Sequence, residues 1–161
     1  MILKELDFLL KMLPEILVAT ACGTIVGIDR EIKNKAAGIR THVLICVGVA
    51  IFTLVGISFG EKADPTRVIG QIITGIGFLG GGVIFKQSDR VVGITSAAFI
   101  WFIAAIGVLC GLGYLLSAGI LTVGFVLITN GLKYLERFVD RKQKPEDQAK
   151  ETLELHNDND V

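Results

Sequence analysis

The chain has 161 residues, enough for one domain, and 52% of them are hydrophobic, with 19 Gly and 3 Pro. Its mean hydropathy is +0.63, more apolar surface than a soluble domain of this size needs. Lys and Arg balance Asp and Glu at 16 each, with no basic face for nucleic acid.

Five apolar stretches follow in chain order, at about 6–28, 42–60, 65–85, 91–112 and 113–135. Each is near the ~20 residues that carry a helix across ~30 Å of hydrocarbon. Backbone groups in lipid need internal partners, so long apolar runs without strand alternation read as helices. The expected fold is therefore an all-α integral membrane protein, a compact bundle of about five short transmembrane helices. The first stretch contains Lys11, Pro14 and Glu15, so the residues before Pro14 read either as part of the span or as an amphipathic helix on the membrane surface. Charges and Pro14-Glu15 interrupt this stretch too early for a signal peptide. Between the fourth and fifth stretches, Gly111-Leu112-Gly113 carries no charge, and a tight Gly turn is expected there. Residues 136–161 are polar and read as a tail without a core of its own.

Orientation follows from the placement of Lys and Arg. With five spans and the N-terminus outside, twelve fall inside, in the first and third loops and the tail, against four outside (Lys4, Lys11, Lys62 and Arg67). The expectation is a cytoplasmic C-terminus in a bacterial inner membrane.

Four GxxxG pairs punctuate the spans: Gly23 with Gly27, Gly56 with Gly60, Gly77 with Gly81, and Gly107 with Gly111. Each pair puts two small residues on one helix face, where backbones approach closely. They predict a tight bundle or a homodimer or higher homo-oligomer, without deciding which.

The third span opens on Asp64-Pro65, an N-cap followed by proline at the first helical position. At 100° per residue, Asp64, Arg67, Gln71, Thr74 and Gly75 share one stripe, continued by Phe78 and Gly82. A polar stripe entering the membrane must face protein or water; it reads as a cavity wall or as a satisfied seam between helices. Gly75, Gly77 and Gly80 also match a dinucleotide-binding pattern, but no strand precedes them. They fit a kink or close crossing better.

The first loop supplies a second candidate. Asp29, Arg30 and Glu31 end the first span, and Arg40, Thr41 and His42 begin the second. They read as an inward-facing polar site or as ordinary interfacial anchors, with His42 a proton or metal group in the first reading. Thr95 and Ser96 open the fourth span, Trp101 lies near its middle, and Thr129-Asn130 ends the fifth, all read as packing contacts. Cys22, Cys46 and Cys110 are scattered through apolar runs and read as core residues. No nucleophile with a base, no HExxH and no paired Cys is present, so no enzyme, cofactor or metal site is expected.

GIDREIKNKAAGIRTH (27–42), ADPTRVIGQIITGIGFLGGGVIF (63–85) and GITSAAFIWFIAAIGVLCGLG (93–113) together resemble the MgtC/SapB family of bacterial inner-membrane proteins. The resemblance implies a polytopic bundle with a cytoplasmic C-terminus, and a link to magnesium limitation and to virulence or survival inside host cells. It implies a regulator that binds partner membrane proteins, the ATP synthase among them, although members are often labelled magnesium transporters. Arg30, Glu31, Gly38, Arg40, Thr41, Asp64, Pro65, Arg67, Gln71, Gly75, Gly77 and Gly80 match the family's marked positions. Asp29 stands where the family usually has Glu, and the soluble C-terminal domain of many members has no counterpart here. Two functions follow as expectations: a regulator that binds membrane proteins and itself, or a small oligomeric transporter or channel for magnesium, another cation or protons. Against the second, no span carries an acid at mid-depth, and Mg²⁺ prefers several oxygens in octahedral array.

Overall fold

A computed structural model describes residues 2–59 and 64–135. Among the described residues there are five helices: α1 (Ile2–Ile32), α2 (Ile39–Ser58), α3 (Pro65–Gly81), α4 (Ile94–Gly111) and α5 (Leu115–Leu135). Between α3 and α4 lies a small hairpin of β1 (Phe85–Gln87) and β2 (Arg90–Val92). The all-α membrane fold expected from the sequence is the fold observed. Glu5–Ile32 within α1, together with α2, α4 and α5, is long and apolar enough to cross a membrane. Helix α3 has 17 residues and spans about 25 Å, a little less than the hydrocarbon core. Gly60 and the tail from 136 onward lie outside the described residues.

Helix α1 runs unbroken through Pro14, so the residues before the proline continue the helix instead of forming a separate surface segment. Proline lacks the N–H that would bond the Leu10 carbonyl, and the neighbouring turns hold the helix across the gap. At its other end, Asn34 adopts φ 50°. Lys35 N–H donates to Arg30 O at 3.1 Å and Asn34 N–H to Glu31 O at 2.9 Å, a Schellman stop with asparagine in the left-handed position. The turn anticipated between the last two spans has the same form. Gly113 lies at φ 81°, Tyr114 N–H donates to Leu109 O and Gly113 N–H to Cys110 O, both at 2.9 Å.

The third and fourth stretches are shorter than their hydropathy suggests. After Gly81, Val83 N–H reaches back to Gly80 O at 3.3 Å and Ile84 N–H to Gly81 O at 3.1 Å, a tightened final turn on three weak helix formers. The chain then pairs antiparallel, Phe85 with Val92, Lys86 with Val91 and Gln87 with Arg90, around Ser88 at φ 53°. Gly93 leaves the hairpin at φ 94°, and a Cβ there would collide with the Val83 carbonyl. Residues 82–85 and 91–93, expected inside spans, thus form or flank a hairpin, whose antiparallel pairing satisfies backbone groups across the turn.

Helix α2 is the centre of the packing. A Cβ on Gly23 would lie 2.7 Å from Val43 Cα, and one on Gly27 would collide with Ile39 Cα, so α1 and α2 meet backbone to backbone. Further along α2, a Cβ on Gly107 would lie 2.6 Å from Cys46 O, and one on Gly111 2.7 Å from Ala50 O. Gly56 faces Val68 of α3. Val49, Ile76, Ile100 and Ala104 form the apolar core, with Ile72 and Val108 packed against it. Buried threonines bond their own helices, Thr53 to Val49 O at 2.9 Å and Thr122 to Ala118 O at 2.7 Å, which satisfies hydroxyls that lipid would leave unpaired. The contacts gather the chain up to Val123 into one compact unit, with Gly124 onward a second. In that second unit Thr129 and Asn130 bond carbonyls of their own helix, Phe125 O and Val126 O, each at 2.9 Å.

Candidate functional site

The six polar residues of the first loop separate into distinct roles. Asp29 forms an ion pair with Lys33 one turn on, at 2.7 Å. Glu31 reaches across the turn and accepts from Ile39 N–H at 3.1 Å. It thereby caps α2, whose N-cap residue, Gly38, has no side chain. A Cβ on Gly38 would strike the Glu31 carboxylate, so the glycine makes room for the cap. Arg40 is exposed and Thr41 half-buried; both line a shallow recess with Glu31 and Gly38. Arg40 does not join the buried site read from the sequence, whereas Asp29 borders it, its side chain 10% exposed and its charge reaching Arg30.

Arg30 and His42 do go inside. Arg30 is 3% exposed and His42 fully buried. The Arg30 guanidinium lies 4.0 Å over the Phe99 ring, a cation–π contact, and its Nη2 donates to Ser96 Oγ at 3.3 Å. Its Nε has no acceptor. His42 Nδ1 lies 2.8 Å from Gly38 O, so Nδ1 carries the proton and Nε2, buried without a partner, presents a lone pair. Ser96 and Phe99 of α4 complete this centre. The sequence signal for Ser96 was its place in the first turn of a span beside Thr95; nothing in the sequence marked Phe99.

The stripe on α3 lies elsewhere. Ile69, Ile72 and Ile76 turn toward α4, and only Ile76 and Gly80 of α3 are buried. Arg67, Gln71 and Thr74 are exposed, and Gln71 with Gly75 borders an open cleft between α3 and α2, beside Val49 and Phe52. Thr74 satisfies its hydroxyl on Gly70 O at 3.0 Å. Asp64 caps the helix, accepting from Thr66 N–H at 2.9 Å and from the Thr66 hydroxyl at 2.6 Å; these bonds hold its carboxyl below its usual range. Gly75, Gly77 and Gly81 are open, a Cβ on each meeting no atom within 4 Å, whereas Gly80 rests at ordinary contact distance against Ala97. Phe78 is 84% exposed on this face. The pairs at 23/27 and 107/111 are thus consumed inside the bundle, and the pair at 77/81 is not.

The three cysteines, far apart in sequence, converge. Cys110 lies against both Cys22 and Cys46, all as free thiols. No group of three His, Cys, Asp or Glu side chains among the described residues is arranged to hold a metal ion.

Residues 16–138 match the MgtC family. The chain belongs to that family. Protein MgtC of Brucella abortus is 43% identical over 110 residues, covering 68% of this chain and 46% of that protein. The putative magnesium transporter YhiD of Escherichia coli is 42% identical over 115 residues, 66% of this chain and 52% of its own length. A relative in Haemophilus influenzae is 36% identical over 140 residues, 81% and 59% of the two chains. The chain therefore spans about half the length of these relatives. No solved structure matches it.

Proposed function

We propose that this MgtC-family chain is a non-enzymatic regulator of the bacterial inner membrane, tied to magnesium limitation and to virulence or intracellular survival. It works by docking the outer face of α3 against a transmembrane helix, of a second copy or of a partner such as the ATP synthase. The observation that carries this reading is the open Gly77–Gly81 pair beside Arg67, Gln71 and Thr74. Lipid offers no partner to such a face, whereas another helix gains close backbone approach and polar contacts. The distribution of Lys and Arg supports a cytoplasmic C-terminus. The resemblance of the loop and α3 motifs to the family supplies the magnesium and host-survival link, and the printed name of the Escherichia coli relative carries the word magnesium.

Replacing Gly77 and Gly81 together by Leu fills the open face without touching the core. In-membrane crosslinking and affinity capture then lose the oligomer or partner, while size-exclusion chromatography shows the fold intact. Unchanged crosslinking and capture in the folded double variant refute the docking role.

A transport reading has two supports: the printed name of the Escherichia coli relative, and Glu15, whose Oε2 is buried without a partner inside α1. Magnesium flux into proteoliposomes above that of empty vesicles would favour it over regulation. Arg67 on the α3 stripe weighs against a Mg²⁺ path along that face.

A further inference from the structure

Arg30 opens onto a recess that no step of the docking argument uses. The recess has a volume of about 680 Å³. It lies between the end of α1 with its Asn34–Ala36 turn, the β1–β2 hairpin, and the first turn of α4. It exists because α1 stops at Asn34, and Gly93 turns the chain sharply from the hairpin into α4.

Three features of the recess point to an anion. First, its lining includes Arg30 and Lys35 and no acidic residue. Of the nearby carboxylates, Asp29 is engaged by Lys33 and offsets part of the Arg30 charge from outside the recess, and Glu31 caps α2. Second, the α4 N-terminus opens into it. Gly93, the N-cap, has no side chain to cap the helix, and the first helical bond is Ala97 N–H to Gly93 O at 2.9 Å. The amides of Ile94, Thr95 and Ser96 therefore carry the free donors of an 18-residue helix, together with its positive end. Third, and independently, Arg30 is 97% withdrawn from solvent, yet its Nε has no acceptor. Burying a guanidinium with an unmet donor is costly unless an anion completes it.

We infer that this recess binds a phosphoryl group, with Arg30, Lys35, the Thr95 and Ser96 hydroxyls and the α4 amides as its donors. The planar fork of arginine fits the tetrahedral oxyanion in a bidentate manner, and a helix N-terminus supplies converging N–H groups. The last turn of the first membrane span forms one wall, which sets the recess at the depth of lipid headgroups. The phosphoryl group belongs to an anionic lipid or to a soluble phosphate, since both present the same chemistry. The recess does not include α3, so this site and the docking face succeed or fail separately.

The test uses the full chain purified in an uncharged maltoside detergent. In one arm, inorganic phosphate is titrated against chloride at equal ionic strength, and binding is read by thermal stabilisation. In the other, native mass spectrometry counts lipid retained from vesicles of cardiolipin in phosphatidylcholine, against phosphatidylcholine alone. Arg30→Gln weakens binding by about tenfold, the loss of one charge-assisted hydrogen bond. Lys35→Gln weakens it by about fivefold through the loss of one surface charge. Lys35 is exposed, so its variant folds even if Arg30→Gln does not. Saturable phosphate binding reduced in Lys35→Gln identifies a soluble ligand. Selective cardiolipin retention reduced in Lys35→Gln identifies a headgroup. Equal behaviour of wild type and Lys35→Gln in both arms overturns the site.

Discussion

Gly107→Ala isolates the close approach of α4 to α2. The added methyl would sit 2.6 Å from Cys46 O and 2.9 Å from Val49 Cβ, where non-bonded carbon makes favourable contact only at about 3.5–4.0 Å. One neighbour is a backbone carbonyl inside a helix and cannot swing aside, so the helices must separate by several tenths of an ångström. Overpacking of this kind costs about 1–3 kcal/mol. The intrinsic helix preference of Ala over Gly returns up to about 1 kcal/mol, which leaves a net destabilisation of up to about 2 kcal/mol. Gly77→Ala is the matched control, because it gains the same preference and meets no atom within 4 Å. Thermal unfolding in detergent, followed by the fluorescence of the single tryptophan, Trp101, ranks Gly107→Ala below wild type and Gly77→Ala at or above it. The assignment of one GxxxG pair to the core and the other to the outer face is refuted if the two variants shift together, or if the order reverses.

Three further outcomes follow from the geometry. Gly93→Ala forces a left-handed φ of 94° on a residue with a Cβ, at about 1–2 kcal/mol, and adds a collision with the Val83 carbonyl; the yield of monodisperse protein falls sharply, and a wild-type yield would contradict the hairpin. Cys22, Cys46 and Cys110 are at most 2% exposed, so a maleimide labels none of them in the folded protein and all three in SDS; rapid labelling without denaturant would place them elsewhere. The Asp64 carboxyl is held below its usual range by Thr66, so the ionised cap contributes fully above the ordinary carboxylate pKa of about 4. Its contribution is lost as pH falls through the lower folded-state value. The protection of the Thr66 amide, taken relative to its intrinsic exchange rate, therefore falls in acid, and the fall disappears in Asp64→Asn; the same acid response in that variant would assign it to another group.

Hydropathy, the Asp64-Pro65 helix start and the left-handed turn at Gly113 are local properties. Each depends on residues a few positions apart, so the helices, the α3 cap and the last turn were legible from the chain alone. The hairpin was not, because Val83–Phe85 and Val91–Val92 are as apolar as the spans they adjoin, and only cross-strand pairing distinguishes ribbon from helix there. The loop residues show the same division. Arg30 and Arg40 look equivalent in GIDREIKNKAAGIRTH, yet only Arg30 finds Phe99 and Ser96, residues 66–69 positions away that α4 brings over it. The glycines make the point most directly. A GxxxG pair states in sequence that two helices can meet closely there. Which helix they meet depends on which face the apolar residues of that helix turn inward. Ile69, Ile72 and Ile76 take the inner side of α3, and the same turn of the helix leaves Gly77 and Gly81 outward, open to a partner.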